Sequence, residues 1–201
     1  MIGNYLGSSR VHLYMGPMYS GKTDQMLRSF RRFKYLSNTI SLLFKYSGDT
    51  RDGLYTIESR NGAIEQVTEL ISTGYEAWKC LQSAIKTADV NKTIIVVGID
   101  EGQFISDLDY FVKKVLEQQM VIEVYISALD STFQGVMWNE IIKIIPYCNG
   151  TVIKLSAICK ICQKHEAQLT KRIIESDQLE LIGHDQYVAA CYMCFSNQVP
   201  I

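Results

Sequence analysis

The sequence predicts an α/β fold, a mostly parallel sheet flanked by helices, followed by a small C-terminal domain held by a metal. Three observations carry this expectation. Apolar, β-rich runs alternate with helical stretches as far as about Leu155. A glycine-rich turn, Gly16–Thr23, falls between the first strand and the first helix. Two Cys-x-x-Cys pairs lie beyond Leu155, in a tail too short for a comfortable core of its own.

Composition narrows the classes. The 201 residues carry 20 Lys plus Arg against 21 Asp plus Glu, a net charge of −1. That lacks the basic footprint of a general nucleic-acid binder, so no nucleic-acid partner is expected. Hydrophobic residues make up 47%, enough for one sizeable core. The longest clean apolar run, Ile94–Ile99, is far below the ~20 residues that span a bilayer, so no membrane partner is expected either. Met1–Arg10 lacks a basic stretch followed by an apolar one, so no signal peptide is expected. A cytoplasmic chain with mostly reduced cysteines is the expectation.

The elements follow in order. Val11–Met15 reads as a strand, and Lys22–Leu36 as a helix with Met26, Leu27, Phe30 and Phe33 on one face. Ser41–Lys45 reads as a strand and Gly48–Gly62 as a loop. Tyr75–Ala88 has helical spacing at Ala77, Leu81, Ala84 and Ile85. Thr93–Ile99 is nearly all apolar, as in a central parallel strand covered on both faces. A helix over Leu108–Gln118, a strand over Val121–Ser127, a short helix over Met137–Ile145 ended by Pro146, and a last strand over Thr151–Leu155 complete the pattern. The change of character at Leu155 divides the chain into residues 1–155, a nucleotide-binding domain, and 156–201, a metal-binding domain.

Gly16-Pro17-Met18-Tyr19-Ser20-Gly21-Lys22-Thr23 fits the P-loop pattern G-x-x-x-x-G-K-[ST], and a strand precedes it and a helix follows. Glycines let backbone N–H groups turn towards phosphate oxygens, and the helix N-terminus adds a favourable dipole. Lys22 is then the counter-charge for β- and γ-phosphates of ATP, and the Thr23 hydroxyl a ligand for Mg²⁺. The plain alternative is a Gly-Pro turn and an ordinary helix start. Ile94–Ile99 followed by Asp100-Glu101 has the form of a Walker-B strand. Carboxylates at the carboxyl end of a parallel strand stand where α/β folds bind ligands. Asp100 is the candidate Mg²⁺ ligand, and Glu101 is placed to act on the nucleophile. Alternatively, Asp100 caps a helix beginning near Ser106.

Cys159, Cys162, Cys191 and Cys194 form two pairs whose four thiolates suit structural Zn²⁺, with a redox role as the rival. Cys80 and Cys148 look like ordinary half-buried thiols. His12, His165 and His184 show no ligand spacing, though His165, three residues after Cys162, could be an accessory ligand.

A P-loop with a Walker-B strand indicates only nucleotide binding or phosphoryl transfer. The added zinc tail makes the chain resemble the type II thymidine kinases over roughly Val11–Phe195. The resembling segments are Gly16–Thr23, Gly48–Arg51, Gly98–Phe104, Ala128–Gln134, Thr170–Arg172, Leu181–Tyr187 and both cysteine pairs. The resemblance implies a P-loop NTPase-type core with a C-terminal zinc-binding lasso that closes over thymine by backbone hydrogen bonds. The matching lasso positions are Leu179, Glu180, Leu181, Ile182 and Gly183, with Thr170 before and Tyr187 beyond. Phe104, Leu129 and Phe133 match base-contacting residues, and Met18 a residue near the thymine methyl. Glu101 resembles the general base for the 5′-hydroxyl, and Arg51 the arginine that contacts the transferring phosphate. Asp49, Thr50, Gly102 and Gln103 fall in nucleotide-contacting segments. The implied reaction is γ-phosphoryl transfer from ATP to thymidine, with feedback by thymidine triphosphate and assembly into a homotetramer.

Departures accompany the match. Gly135-Val136-Met137-Trp138 stands where the family carries a basic, proline-containing segment, Tyr19 replaces the usual Phe, and Asp24 follows Thr23. Two other functions compete: a P-loop ATPase using hydrolysis for conformational work, and a zinc-ribbon nucleic-acid binder.

Overall fold

The computed structural model describes residues 9–49, 53–59, 62, 64–174 and 186–196. Six strands form the main sheet: β1 (Arg10–Gly16), β2 (Thr39–Tyr46), β5 (Glu69–Ile71), β6 (Ile94–Asp100), β7 (Ile122–Leu129) and β8 (Val152–Lys154). Between β2 and β5 stand β3 (Thr56–Glu58) and β4 (Ile64–Gln66), a separate antiparallel pair. The sheet order is β5-β2-β6-β7-β1-β8, and every neighbouring pair is parallel.

Strand alternation splits the core into two layers. Val11, Leu13, Leu42, Phe44, Ile95, Val97, Ile99, Val124 and Ile126 face the layer that holds α2 (Gly74–Thr87), α3 (Leu108–Leu116) and α4 (Asn139–Ile144). Tyr14, Leu43, Val96 and Tyr125 face the other way, against Met26, Leu27 and Phe30 of α1 (Lys22–Arg31). Each such buried aliphatic contributes about 1.5–3 kcal/mol. Gly98 allows α1 this close approach, since a Cβ there would lie 3.2 Å from Met26 Sδ and 3.3 Å from the Phe30 ring. A capping box fixes the start of α2: Glu76 N–H donates to Thr73 Oγ1 at 3.1 Å, and Thr73 N–H donates to the Glu76 carboxylate at 3.1 Å.

Beyond β8 come β9 (Ala157–Ile158), β10 (Glu166–Ala167), β11 (Leu169–Arg172), β12 (Tyr187–Ala190) and α5 (Tyr192–Phe195). β9 pairs with β10 and β11 with β12, both antiparallel.

Several boundaries differ from the sequence expectation. The first helix stops at Arg31 and tightens into a 3-10 turn over Arg32–Tyr35, where no residue is buried to hold α geometry. The expected loop over 48–62 contains β3, whose partner β4 lies outside that window. α4 ends at Ile144, and Pro146 sits inside the following 3-10 turn rather than marking the helix end. The three-residue edge strand β5 carries Glu69 on its open side and gives no alternating pattern. Among the described residues no helix is long and apolar enough to cross a membrane.

Candidate active site

β1 delivers Gly16 to the carboxyl end of the sheet, and the chain leaving β8 crosses directly over it. A Cβ on Gly16 would lie 2.4 Å from the Leu155 carbonyl oxygen, so only glycine fits. The loop then turns through Tyr19 at φ 66° and Gly21 at φ 79°. Tyr19 is a strained non-glycine residue, and its ring packs against the cysteine-rich cluster of the C-terminal segment. Two side chains close the loop onto the Pro17 carbonyl: Ser20 Oγ donates at 2.9 Å and Lys22 Nζ at 2.8 Å. Lys22 opens α1, so its ammonium lies beside the positive end of the helix. Met18 N–H is engaged by Thr170 Oγ1 at 3.0 Å.

Asp100 ends β6, two strands from β1 in the sheet, and is 6% exposed. Its Oδ1 accepts from Thr23 Oγ1 at 3.0 Å and also from Ser127 Oγ on the intervening β7. The helix-cap reading of Asp100 is excluded, because α3 begins at Leu108 and Asp107 occupies the N-cap. Glu101 stands at φ 54° in the left-handed region, where a non-glycine residue is strained. Gln103, 3% exposed, holds it: Nε2 donates to Glu101 Oε2 at 2.6 Å, and Oε1 accepts from Leu129 N–H at 2.8 Å. Buried Gly102 lies between them in a 3-10 turn over Gly102–Phe104.

Asp49 is buried, with its Oδ2 4.0 Å from Lys45 Nζ. That buried ammonium also donates to the Gly53 and Thr56 carbonyls, each at 3.0 Å, anchoring the segment after β2. Thr50 and Arg51 lie outside the described residues, as do Leu179, Glu180, Leu181, Ile182 and Gly183.

Phe104 and Phe133, two of the expected base-contacting residues, each join an aromatic group. Phe104 stacks obliquely on Tyr46 at 5.2 Å and meets Trp138 edge-on at 5.4 Å. Trp138, the departure noted in the sequence, therefore packs against an expected pocket residue. Phe133 lies under the Arg172 guanidinium, 3.7 Å from its carbon, and Arg172 Nη2 donates to Tyr187 Oη at 2.7 Å. Ser127 was not singled out by sequence, because an isolated serine in an apolar strand gives no signal. Arg172 sat within a resembling segment, but its partners are remote in sequence.

Cys159, Cys162, Cys191 and Cys194 converge, their Sγ atoms all lying within 4.8 Å of one another. Cys162 and Cys191, from different pairs, are 3.9 Å apart. A tetrahedral site with Zn–S near 2.3 Å needs sulfur separations of roughly 3.8 Å, so the four thiols fit zinc. The two pairs meet at one point, which two independent redox motifs would not require. The Lys164 backbone N–H and the His165 ring beside Cys162 hold its thiol well below the usual range. Exposed His165 has Nδ1 3.5 Å from that sulfur. Cys80 and Cys148 stand apart against the main core, and burial pushes both thiols up, Cys148 to about 11. His12 is a core residue, with Nε2 3.0 Å from the buried Glu123 carboxylate. His184 lies outside the described residues.

A P-loop, an acidic pair on a second parallel strand and a four-thiol cluster, on this α/β sheet, define a P-loop phosphotransferase. The thymidine kinase family model matches residues 9–195, and the chain belongs to that family. The chain is 34% identical to thymidine kinase 1 of Dictyostelium discoideum, over 94% of this chain and 79% of that protein. It is 34% identical to the thymidine kinase of vaccinia virus strain Ankara, over 94% of this chain and 98% of that protein. With the thymidine kinase of raccoon poxvirus it shares 31% identity, over 96% of this chain and all of that protein, 100%. The resemblance carried by the motifs and the family match over residues 9–195 agree.

Proposed function

We propose that the chain transfers the γ-phosphoryl group of ATP to the 5′-hydroxyl of thymidine, giving thymidine monophosphate. Membership of the thymidine kinase family over residues 9–195 carries the choice of acceptor, and the Thr23–Asp100 hydrogen bond, which joins the P-loop helix to the acidic pair, supports the nucleotide site.

Backbone N–H groups of Gly16 and Tyr19–Gly21 cradle the phosphates, while the Met18 N–H is held by Thr170 and its side chain serves the thymine methyl. Lys22 leaves the Pro17 carbonyl for the β- and γ-phosphates, where its charge has more to offset. Thr23 and Asp100 are the residues that would hold Mg²⁺. When bound, that ion neutralises charge developing on the phosphate oxygens. Glu101, oriented by Gln103, takes the proton of the 5′-hydroxyl as the new P–O bond forms and the bond to the β-phosphate oxygen breaks. Arg51, with Asp49 and Thr50, serves the transferring group from the segment after β2. Phe104, Leu129, Phe133, Thr170 and Tyr187 line the nucleoside side. Leu179–Gly183 read the thymine edge through their backbone.

The domain division is placed at Leu155, with the four cysteines holding structural zinc in residues 156–201. A cytoplasmic homo-oligomer, a tetramer by resemblance, with thymidine triphosphate as feedback inhibitor, completes the proposal.

The test is incubation with ATP, Mg²⁺ and each deoxynucleoside in turn, followed by product chromatography. Thymidine monophosphate is expected. ATP turnover that ignores nucleoside would replace this reading with an ATPase. Salt-sensitive DNA binding without turnover would replace it with a nucleic-acid binder.

A further inference from the structure

We infer that Arg172 is a positioning residue that sets thymidine affinity by clamping Phe133 to Tyr187; this rests on the thymidine-kinase reading. Thr170, Lys171 and Arg172 are consecutive residues of β11. Successive side chains on a strand point to opposite faces, so Thr170 and Arg172 share one face and Lys171 takes the other. The contacts follow that division. Thr170, 3% exposed, accepts from Met18 N–H of the P-loop. Lys171 Nζ donates to the Cys194 carbonyl at 2.7 Å, tying the strand to the cysteine cluster. Arg172 reaches across to the loop that carries Phe133.

Three features make Arg172 a clamp rather than a surface cation. Its guanidinium carbon lies 3.7 Å from the Phe133 ring centroid, the separation of two planes in direct contact. It is the register partner of Tyr187 across the β11–β12 pair, with that ring's centroid 5.2 Å away. From there Nη2 donates to the Tyr187 hydroxyl at 2.7 Å. One planar group thus uses a face for Phe133 and an edge for Tyr187, which an ammonium cannot do.

The consequence is specific. Phe133 sits on a tight turn between β7 and α4, closed by Thr132 N–H donating to the Val136 carbonyl at 2.8 Å. Tyr187 sits in the C-terminal strand pair. Among the described residues no sheet pairing joins the turn that carries Phe133 to β12, and the Arg172 side chain bridges the two. Arg172 spans them, while the P-loop is tied separately through Thr170. Loss of the clamp should therefore weaken the nucleoside side and spare the nucleotide side.

Steady-state kinetics on the full chain test this. Arg172→Ala should raise the thymidine KM about tenfold or more, with kcat and the ATP KM within about twofold of wild type. Arg172→Lys should behave like Arg172→Ala, because charge without a plane does not restore the stack. Tyr187→Phe, which keeps the ring and loses the bond, should raise the thymidine KM by about threefold. An unchanged thymidine KM in Arg172→Ala, or full recovery in Arg172→Lys, would overturn the clamp. A fall in kcat matching that in kcat/KM would also overturn it, since it would make Arg172 a transition-state group.

If Arg172→Ala does not fold, Arg172→Lys and Arg172→Gln, which lose the stacked guanidinium plane but keep a long side chain, report on the clamp through the same KM. Should the wild-type chain not phosphorylate thymidine, the functional reading fails by itself. The clamp is then decided by a thermal double-mutant cycle of Arg172→Lys and Phe133→Leu. Non-additive melting shifts sustain it and additive shifts refute it.

Discussion

The Thr23 hydroxyl donates to Asp100 Oδ1 at 3.0 Å, joining the first turn of α1 to the end of β6. Ser127 of β7, the strand between β1 and β6, donates to the same oxygen. One carboxylate thus gathers three elements that the chain visits at residues far apart. Removing its charge should show first in the requirement for Mg²⁺. Asp100→Asn keeps an acceptor and the shape, so folding should be preserved. The Mg²⁺ concentration for half-maximal turnover should rise by about tenfold or more. Thr23→Val should act in the same direction. Wild-type Mg²⁺ curves in both variants would remove these residues from the metal site.

Glu101 and Gln103 divide a chemical role from a supporting one. Glu101→Gln should lower kcat by about 10²–10⁴ while leaving the affinity for a non-hydrolysable ATP analogue unchanged. Gln103→Ala removes the bond that aims the carboxylate, and should lower kcat by a smaller factor, about tenfold. Near-normal turnover in Glu101→Gln would refute Glu101 as the base.

Zinc removal should reach beyond the cysteine cluster. Lys171 bonds to the Cys194 carbonyl and the adjacent Thr170 bonds to Met18 N–H, so the cluster and the P-loop share β11. Cys162→Ser should lose about one zinc per chain and lower the melting temperature. Its KM values for both thymidine and ATP should rise. Full activity and an unchanged melting temperature in zinc-free protein would show that the cluster does not support the site.

A pH effect on stability follows from a group outside the site. Burial pushes the Glu123 carboxyl up, but hydrogen bonds from His12 and Arg10, with the Arg10 charge, outweigh it and hold the group below its ordinary value. Arg10 donates through Nε at 2.9 Å and Nη2 at 2.6 Å. His12 Nδ1 accepts from Thr151 N–H at 2.8 Å, so Nε2 carries the proton that faces Glu123. A lowered folded-state value means stabilisation that is complete above the unfolded value, about 4.3, and lost as pH falls below it. Glu123→Gln should cost about 2 kcal/mol at neutral pH. The gap in urea midpoint between the two proteins should close as pH falls from 6 towards 3. A gap independent of pH would separate the network from that carboxylate.

Among the described residues Trp138 Nε1 is buried without a hydrogen-bond partner, while its ring packs edge-on to Phe104. An unsatisfied buried donor costs about 1–3 kcal/mol. Trp138→Phe keeps an aromatic edge and removes the donor, so it should be at least as stable as wild type by urea denaturation. A loss above about 2 kcal/mol would show that the indole's packing outweighs its orphaned N–H.

Legibility followed the range of the interaction. The P-loop is a contiguous pattern because its backbone geometry is set by neighbours along the chain. Ile94–Asp100 was readable because a strand covered on both faces must be apolar at every position, and residues Ile95–Asp100 are all buried. The short strands β9 to β12 have two to four residues each and leave no periodic trace. Ser127 carries no local signature, and Arg172 lies in a resembling segment that does not reveal its partners, since each matters through a contact with another element.

The sequence by itself determined the α/β class, the phosphate loop, the acidic pair and the four thiols, because each rests on residue types at short fixed spacing. Tertiary structure decided which strand stands between β1 and β6, so that Ser127 meets Asp100. It also decided that Arg172 lies on Phe133. Those relationships depend on strand order and on packing between distant segments. Chain entropy leaves such contacts undetermined until burial of the whole core fixes them.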